Sequence, residues 1–313
     1  FNCNLISRQK LVVADGLAGG GKILIANLLA GLPKVDPWMG DFITEQICAL
    51  VYLKRLDLNT AVNLLKNNYN KVFFESVILR HSNLRKSDKS SFQKHPRYKS
   101  LKKRLGSSDQ KIFSTYKEKV ILHFLTHFIS DFSEPIFKNF KKQLLFIRML
   151  RSPVNVSMIN HLATWTTRWE GNKSRDGILR LWNKDLKKNF PFFIKDEIND
   201  YLNCNKYEKA LMIILFYIDN NLKIKKLEKK YGSKVIIIPF ENLITDPVFY
   251  LDSISKSLSV KRDLVTKKVL EKNLVPRKFD IESHDQEGES GRPTFWASRQ
   301  QGCQEVVGTG GLN

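Results

Sequence analysis

The chain has 313 residues, of which 42% are hydrophobic, enough to bury a sizeable core as one large α/β domain or as a domain with a helical insertion. Its formal net charge of +21 invites a nucleic-acid or polyanion surface, but lysine outnumbers arginine by more than two to one and is spread beside abundant Asn, Ile and Phe. That spread reads as a compositional bias, and nucleic acid is not the expected partner.

Leu11–Gly16 is an apolar run followed by Gly19, Gly20, Gly21 and Lys22 and then by an Ala/Leu-rich helical pattern to Pro33. Strand, glycine loop and helix in this order form a phosphate cradle: glycines let backbone N–H groups converge on an anion, and the helix N-terminus adds partial positive charge. From Gly16 the spacing satisfies G-x-x-x-x-G-K, yet the next residue is Ile23, which has no hydroxyl for Mg²⁺. A glycine-rich turn serving packing alone is the competing reading of the same loop.

After the cradle, Asp41–Leu56 fits an amphipathic helix, and a second begins with Asn59 as its cap. Lys71–Val77 fits a strand or a short buried helix. Residues 82–111 are polar and basic and read as a loop or lid. Within them Lys86, Lys89, Lys94, Arg97, Lys99, Lys102, Lys103 and Arg104 cluster with Phe92 and Tyr98. The cluster suits an acidic or carbohydrate acceptor or a membrane surface, or is a solvated face. Ile112–Asp131 reads as a long helix with an apolar face of Ile112, Tyr116, Val120, Leu122, Phe124 and Phe128.

Gln143–Leu150 is a continuous apolar run, the pattern of a central parallel strand, and Arg151-Ser152-Pro153 stops it. Helices are expected over Val154–Trp169 and Tyr207–Tyr231, the latter with Gly232 as C-cap. Lys234–Phe240 is a strand ending at Pro239, and Asp246-Pro247 opens a helix running to Leu258. A last helix covers Asp263–Lys272. From Asp280 the composition shifts to Gly, Gln, Glu and Ser, the signature of a disordered tail outside a single domain of residues 1–279.

No apolar run reaches the roughly 18 residues that span a bilayer, and residues 1–10 are too polar for a signal peptide. Cys3, Cys48, Cys204 and Cys303 form no C-x-x-C pair, so the expectation is a cytoplasmic protein without a disulfide framework or a metal site. Strands alternating with helices after a phosphate loop, with no alternating-polarity hairpin, specify a doubly wound, mostly parallel α/β sheet. Its ligand rim carries Gly16–Lys22, Arg151 and Phe240–Asn242.

Three blocks resemble the P-loop sulfotransferase family: the cradle with its Leu-rich helix ending at Pro33, Met149-Leu150-Arg151-Ser152-Pro153, and Pro239-Phe240-Glu241-Asn242-Leu243-Ile244-Thr245-Asp246-Pro247. The resemblance implies the donor 3′-phosphoadenosine 5′-phosphosulfate, with no metal, and transfer of a sulfuryl group to a hydroxyl or amine. It implies a 5′-phosphosulfate site at Gly19, Gly20, Gly21, Lys22, Ile23 and Leu24, and a 3′-phosphate site at Arg151 with Ser157 or Asn160. This chain departs from the family's Ser-Gly-Thr-Thr loop at Gly20–Ile23, and Ile159 stands where the family has a serine. Asp41 and Glu45 follow the loop helix, where members of the family can carry a general base; Glu75 and His81 are further candidates. Lys22 and the loop N–H groups would stabilise charge in the transition state. The residues also admit an ATP- and Mg²⁺-dependent kinase or NTPase, which the Gly21-Lys22 pair supports and Ile23 opposes, and a non-catalytic binder of nucleotides or polyanions.

Overall fold

In a computed structural model the described residues are 10–88, 90–170, 178–218 and 221–278. Cys3, Lys89, Cys303 and the expected tail from Asp280 lie outside them. The chain opens with β1 (Leu11–Gly16), α1 (Lys22–Ala30), β2 (Met39–Gly40), α2 (Phe42–Tyr52) and α3 (Leu58–Val77). Next come α4 (Tyr98–Lys102), α5 (Asp109–Tyr116), β3 (Leu122–His127), α6 (Glu134–Phe140), β4 (Leu144–Leu150) and α7 (Val156–Glu170). A hairpin of β5 (Arg180–Asn183) and β6 (Lys188–Pro191) follows, then α8 (Ile198–Asn203), α9 (Lys206–Ile218) and α10 (Asn221–Tyr231). The chain closes with β7 (Lys234–Pro239), α11 (Phe240–Thr245), α12 (Pro247–Leu258) and α13 (Leu264–Lys272).

Strands β2-β3-β1-β4-β7 form one parallel sheet in that order. Every residue of β1 is buried, as a parallel strand covered by helices on both faces requires. The three central strands therefore end side by side, with Gly16 opposite His127 of β3 and Met149 of β4. Helices flank the sheet, so the doubly wound α/β class holds, and the rim carries the cradle, Arg151 and the start of α11 together. No helix among the described residues is long and apolar enough to cross a membrane.

Several local expectations are corrected. The expected helix over Ile112–Asp131 is α5, a short 3₁₀ turn and then β3, since a buried apolar run of this length carries no periodicity that separates strand from helix. His123 lies on this strand fully buried, and loss of hydration pulls its pKa down to about 3. Lys71–Val77 is the last part of α3, whose Tyr69, Phe73 and Val77 recur every four residues on its buried face. Asp57, not Asn59, caps that helix by accepting from the N–H groups of Asn59 and Thr60. The expected Tyr207–Tyr231 helix is two helices, α9 and α10, and β5 with β6 is an antiparallel hairpin that polarity did not reveal. Asp246 caps α12 as its position suggested, and Asp263, expected as the first residue of the last helix, is the cap of α13.

The basic segment is pinned to the sheet rather than wholly solvated. Arg104 is buried and pairs both guanidinium nitrogens with Asp36, at 2.9 and 3.0 Å, while Ser76 Oγ donates to the same carboxylate. Arg97 donates to the carbonyls of Gly31 and Leu32 and pairs with Asp263, placing a cation at the C-terminal end of α1. Lys86, Lys94, Lys99, Lys102 and Lys103 remain exposed. Arg104→Ala strands a carboxylate that is 1% exposed, so the variant should lose about 3–5 kcal/mol by denaturant unfolding. A loss below ~1 kcal/mol, the range of a surface ion pair, would show that the pair is solvated.

Candidate functional site

The loop after β1 is shaped by backbone conformations that favour glycine. Gly21 caps α1 at φ 91°, and a Cβ there would lie 2.3 Å from Cδ2 of Phe240, the first residue of α11. Gly19, at φ 80°, lets α7 approach until Met158 Cα is 3.3 Å from a Cβ placed at the glycine. Gly20 N donates to Leu17 O at 3.0 Å, and Leu24 N and Ile25 N donate to Gly21 O. The N–H groups of Lys22 and Ile23 fall in the first turn of α1, where no intrahelical acceptor exists, so the loop presents the positive end of a helix dipole.

Lys22 does not point its charge outward. Its ammonium donates to Gly16 O and, at 3.3 Å, to Leu17 O, and the side chain is 6% exposed. Burial lowers its pKa to about 8, opposed by the nearby negative charges of Asp15 and Glu45. In this conformation Lys22 braces the loop.

Arg151, at the end of β4, stacks on the Phe240 ring with its guanidinium 4.5 Å from the centroid and donates from Nη1 to Gly19 O at 2.6 Å. Its Nε is a buried donor beside the cradle with no hydrogen-bond partner among the described residues. Glu241 sits close enough to feel its charge and accepts from Ser152 N at 3.0 Å. Ser157 and Asn160 are exposed, while α7 turns Met158 and His161 toward Gly19.

The other wall is a His–Glu pair. His127 ends β3, opposite Gly16. Its backbone N–H donates to Glu45 Oε1 at 2.7 Å and its Nδ1 lies 3.0 Å from the same oxygen. With Glu45 ionised, Oε1 can only accept, which puts the ring proton on Nδ1 and makes Nε2 the basic nitrogen of the ring. Glu45 is 6% exposed; burial lifts its pKa well above the usual carboxylate range, against the pull of the His127 N–H and Lys22. Phe42 stacks on the imidazole at 6.3 Å and Trp165 tilts over it at 5.4 Å. The Trp165 indole N–H in turn donates to His161 Nε2.

The sequence-derived base candidates separate clearly in space. Glu45 belongs to this cluster. Asp41 has both oxygens engaged, one by Thr44 N as the cap of α2 and one by the Tyr69 hydroxyl at 2.7 Å. Glu75 and His81 pair with each other at the far end of α3. Sequence reasoning missed His127 as a site residue because its run was read as helix; as the last residue of a strand, it would have fallen on the rim.

One further carboxylate organises the site. Asp15, fully buried on β1, accepts from Thr126 Oγ1 at 3.0 Å, Ile129 N at 3.3 Å, Ser130 N at 3.1 Å and Ser130 Oγ at 2.5 Å. These donors bracket His127 and fix the turn in which Phe128 takes φ 61°.

No family model matches the sequence, and no curated protein matches it. Among solved structures, the chain is similar to a sulfotransferase domain from the curacin biosynthetic pathway at 13% identity, over 87% of this chain and 79% of that one, with a TM-score of 0.38. It is similar to a sulfotransferase domain of an olefin synthase from Synechococcus PCC 7002 at 15% identity, over 93% and 82%, with a TM-score of 0.36. It is similar to the sulfotransferase STF9 of Mycobacterium avium at 12% identity, over 89% and 71%, with a TM-score of 0.38. Such scores describe a remote likeness and assign no chemistry to this chain. Among the described residues no group of three or more His, Cys, Asp or Glu side chains could hold a metal ion.

Gly21→Ala tests the cradle directly. The added methyl meets Phe240 and takes a left-handed conformation, so the variant should lose on the order of 1–2 kcal/mol in thermal unfolding and release the Phe240 ring from the loop. An unchanged melting temperature would mean that the loop does not hold this geometry.

Proposed function

We propose that the chain is a sulfotransferase whose donor is 3′-phosphoadenosine 5′-phosphosulfate. What supports this reading is one juxtaposition: an anion cradle, an arginine with a buried unpaired donor and a His–Glu pair stand at the ends of three neighbouring strands. The residues fit such a donor. The first-turn N–H groups of α1 suit the 5′-phosphosulfate, Arg151 suits the 3′-phosphate as a planar charged donor, and the Phe240 ring keeps the guanidinium against the loop.

When bound, the donor supplies an activated sulfuryl group and departs as adenosine 3′,5′-bisphosphate. His127 takes the proton of the acceptor hydroxyl or amine at Nε2 as the acceptor atom attacks. Glu45 holds the ring by Nδ1 and balances the imidazolium that forms. The loop N–H groups stabilise the charge that develops on the bridging oxygen, and no hydroxyl at position 23 is required for that. Lys22 joins them if its ammonium exchanges the Gly16 and Leu17 carbonyls for the leaving phosphate. Asp41 stays structural.

The reading is tested by ligand-induced stabilisation without Mg²⁺. At 100 times its dissociation constant, adenosine 3′,5′-bisphosphate should add about 2.7 kcal/mol and raise the melting temperature by ~5 °C. Arg151→Ala should weaken the bisphosphate on the order of 10- to 100-fold, as expected for loss of a charge-assisted contact. Stabilisation by ATP with Mg²⁺ and none by the bisphosphate would overturn the sulfotransferase reading in favour of a kinase or NTPase.

A further inference from the structure

Beside the His–Glu pair lies a cavity of about 460 Å³, in the size range of small-molecule sites. It is bounded by the turn that carries β2 into α2, by one face of α3, and by the start of the basic segment. Trp38, Met39, Phe42, Ile43, Val72 and Leu79 supply its apolar wall. Phe42 and Ile43, 40% and 55% exposed, stand on this wall as large apolar side chains open to solvent.

Its charge contrasts with that of the chain. Although the protein carries a net +21, no lysine or arginine among the described residues lines this cavity. Among the described residues two ionisable groups line it, and both are committed: Asp41 to Thr44 and Tyr69, His81 to Glu75. The remaining polar lining is neutral, with the half-buried Asn68 amide on α3 and the side chains of Ser82, Asn83 and Ser90. An anion placed here loses its hydration and meets no cation among the described lining residues, whereas an uncharged ring gains aromatic contact and one or two hydrogen bonds. A carbohydrate, which needs a dense polar lining, is a poor match for such a wall.

Phe42 joins the cavity to the chemistry. It contributes to the wall and is stacked parallel to the His127 imidazole, with 6° between the ring planes. A molecule lying against Phe42 is therefore one ring away from the imidazole.

We propose that this cavity binds the acceptor, and that the acceptor is an uncharged, largely apolar, ring-bearing alcohol or phenol rather than an acidic or carbohydrate one. Its role as acceptor site rests on the sulfuryl-transfer reading; its preference for a neutral ring rests on the lining alone.

Two probes that share a naphthalene ring and differ in charge, 2-naphthol and 2-naphthoate, test this by isothermal titration of the full chain, with and without adenosine 3′,5′-bisphosphate. The neutral probe should bind, and the carboxylate should bind at least about tenfold more weakly, a difference of 1.4 kcal/mol. Val72→Phe, which fills the cavity from α3, should weaken 2-naphthol at least about tenfold while bisphosphate affinity, measured on the same sample as proof of folding, stays unchanged. Equal or tighter binding of the carboxylate overturns the proposal, as does 2-naphthol binding that Val72→Phe leaves intact. Bisphosphate binding without 2-naphthol binding overturns the cavity assignment alone. Binding of 2-naphthol by a protein that ignores the bisphosphate upholds the neutral-ring preference and overturns the donor reading instead.

Discussion

A single buried carboxylate sets the geometry on which the site depends. Asp15 is the penultimate residue of β1, one position before the loop, and it would be costly to bury there without partners. Its partners are the donors of the turn after β3: the Thr126 and Ser130 hydroxyls and the Ile129 and Ser130 amides. The residue that begins the anion cradle and the residue that carries the imidazole are thereby held at one spacing by two strands and one carboxylate. The sheet order does the rest, because β1 lies between β3 and β4 and so brings His127 and Arg151 to either flank of the loop.

Around this anchor the charges are arranged to offset one another. Lys22, Asp15 and Glu45 are all buried and sense one another, and each would be far more costly in isolation. Lys22 is kept cationic only weakly, with its pKa lowered to about 8, and its ammonium satisfies carbonyls of its own loop. That gives the lysine a role in the loop's conformation which does not require the Mg²⁺-binding hydroxyl missing at Ile23. A second set of charged groups, Asp36 with Arg104 and Arg97 with Asp263, fastens the basic segment against the sheet and the end of α1. The described lysines of that segment and Arg85 are left to solvent, and none of them is among the described residues that line the cavity.

Legibility in the sequence followed physical distinctness. The cradle could be read because glycines at Gly19 and Gly21 have few other uses at that spacing before a helix, and the two of them do take positive φ. Strands β4 and β7 could be read because each is a continuous apolar run stopped by a proline or by Arg-Ser-Pro. β3 could not, because Val120–Ile129 is equally apolar on every face and has histidines where a helix would also tolerate them. With that strand went His127, so the base was sought on Asp41 and Glu45. Glu45 is the partner of the imidazole, and Asp41 is a helix cap whose second oxygen holds a tyrosine from 28 residues away. Contacts between distant segments, such as Arg104 with Asp36, leave no periodic trace, and so the basic segment looked solvated.

The account stands or falls on whether the cradle and the His–Glu pair are one site. Nitrogen-15 imidazole spectra of the full chain, with His127 assigned by substitution, measure this directly during titration with adenosine 3′,5′-bisphosphate. The account predicts that His127 rests as the tautomer with its proton on Nδ1, and that its ring signals move along the same binding curve as the bisphosphate itself. A His127 ring that carries its proton on Nε2, or whose signals stay fixed while the bisphosphate saturates the protein, would contradict it.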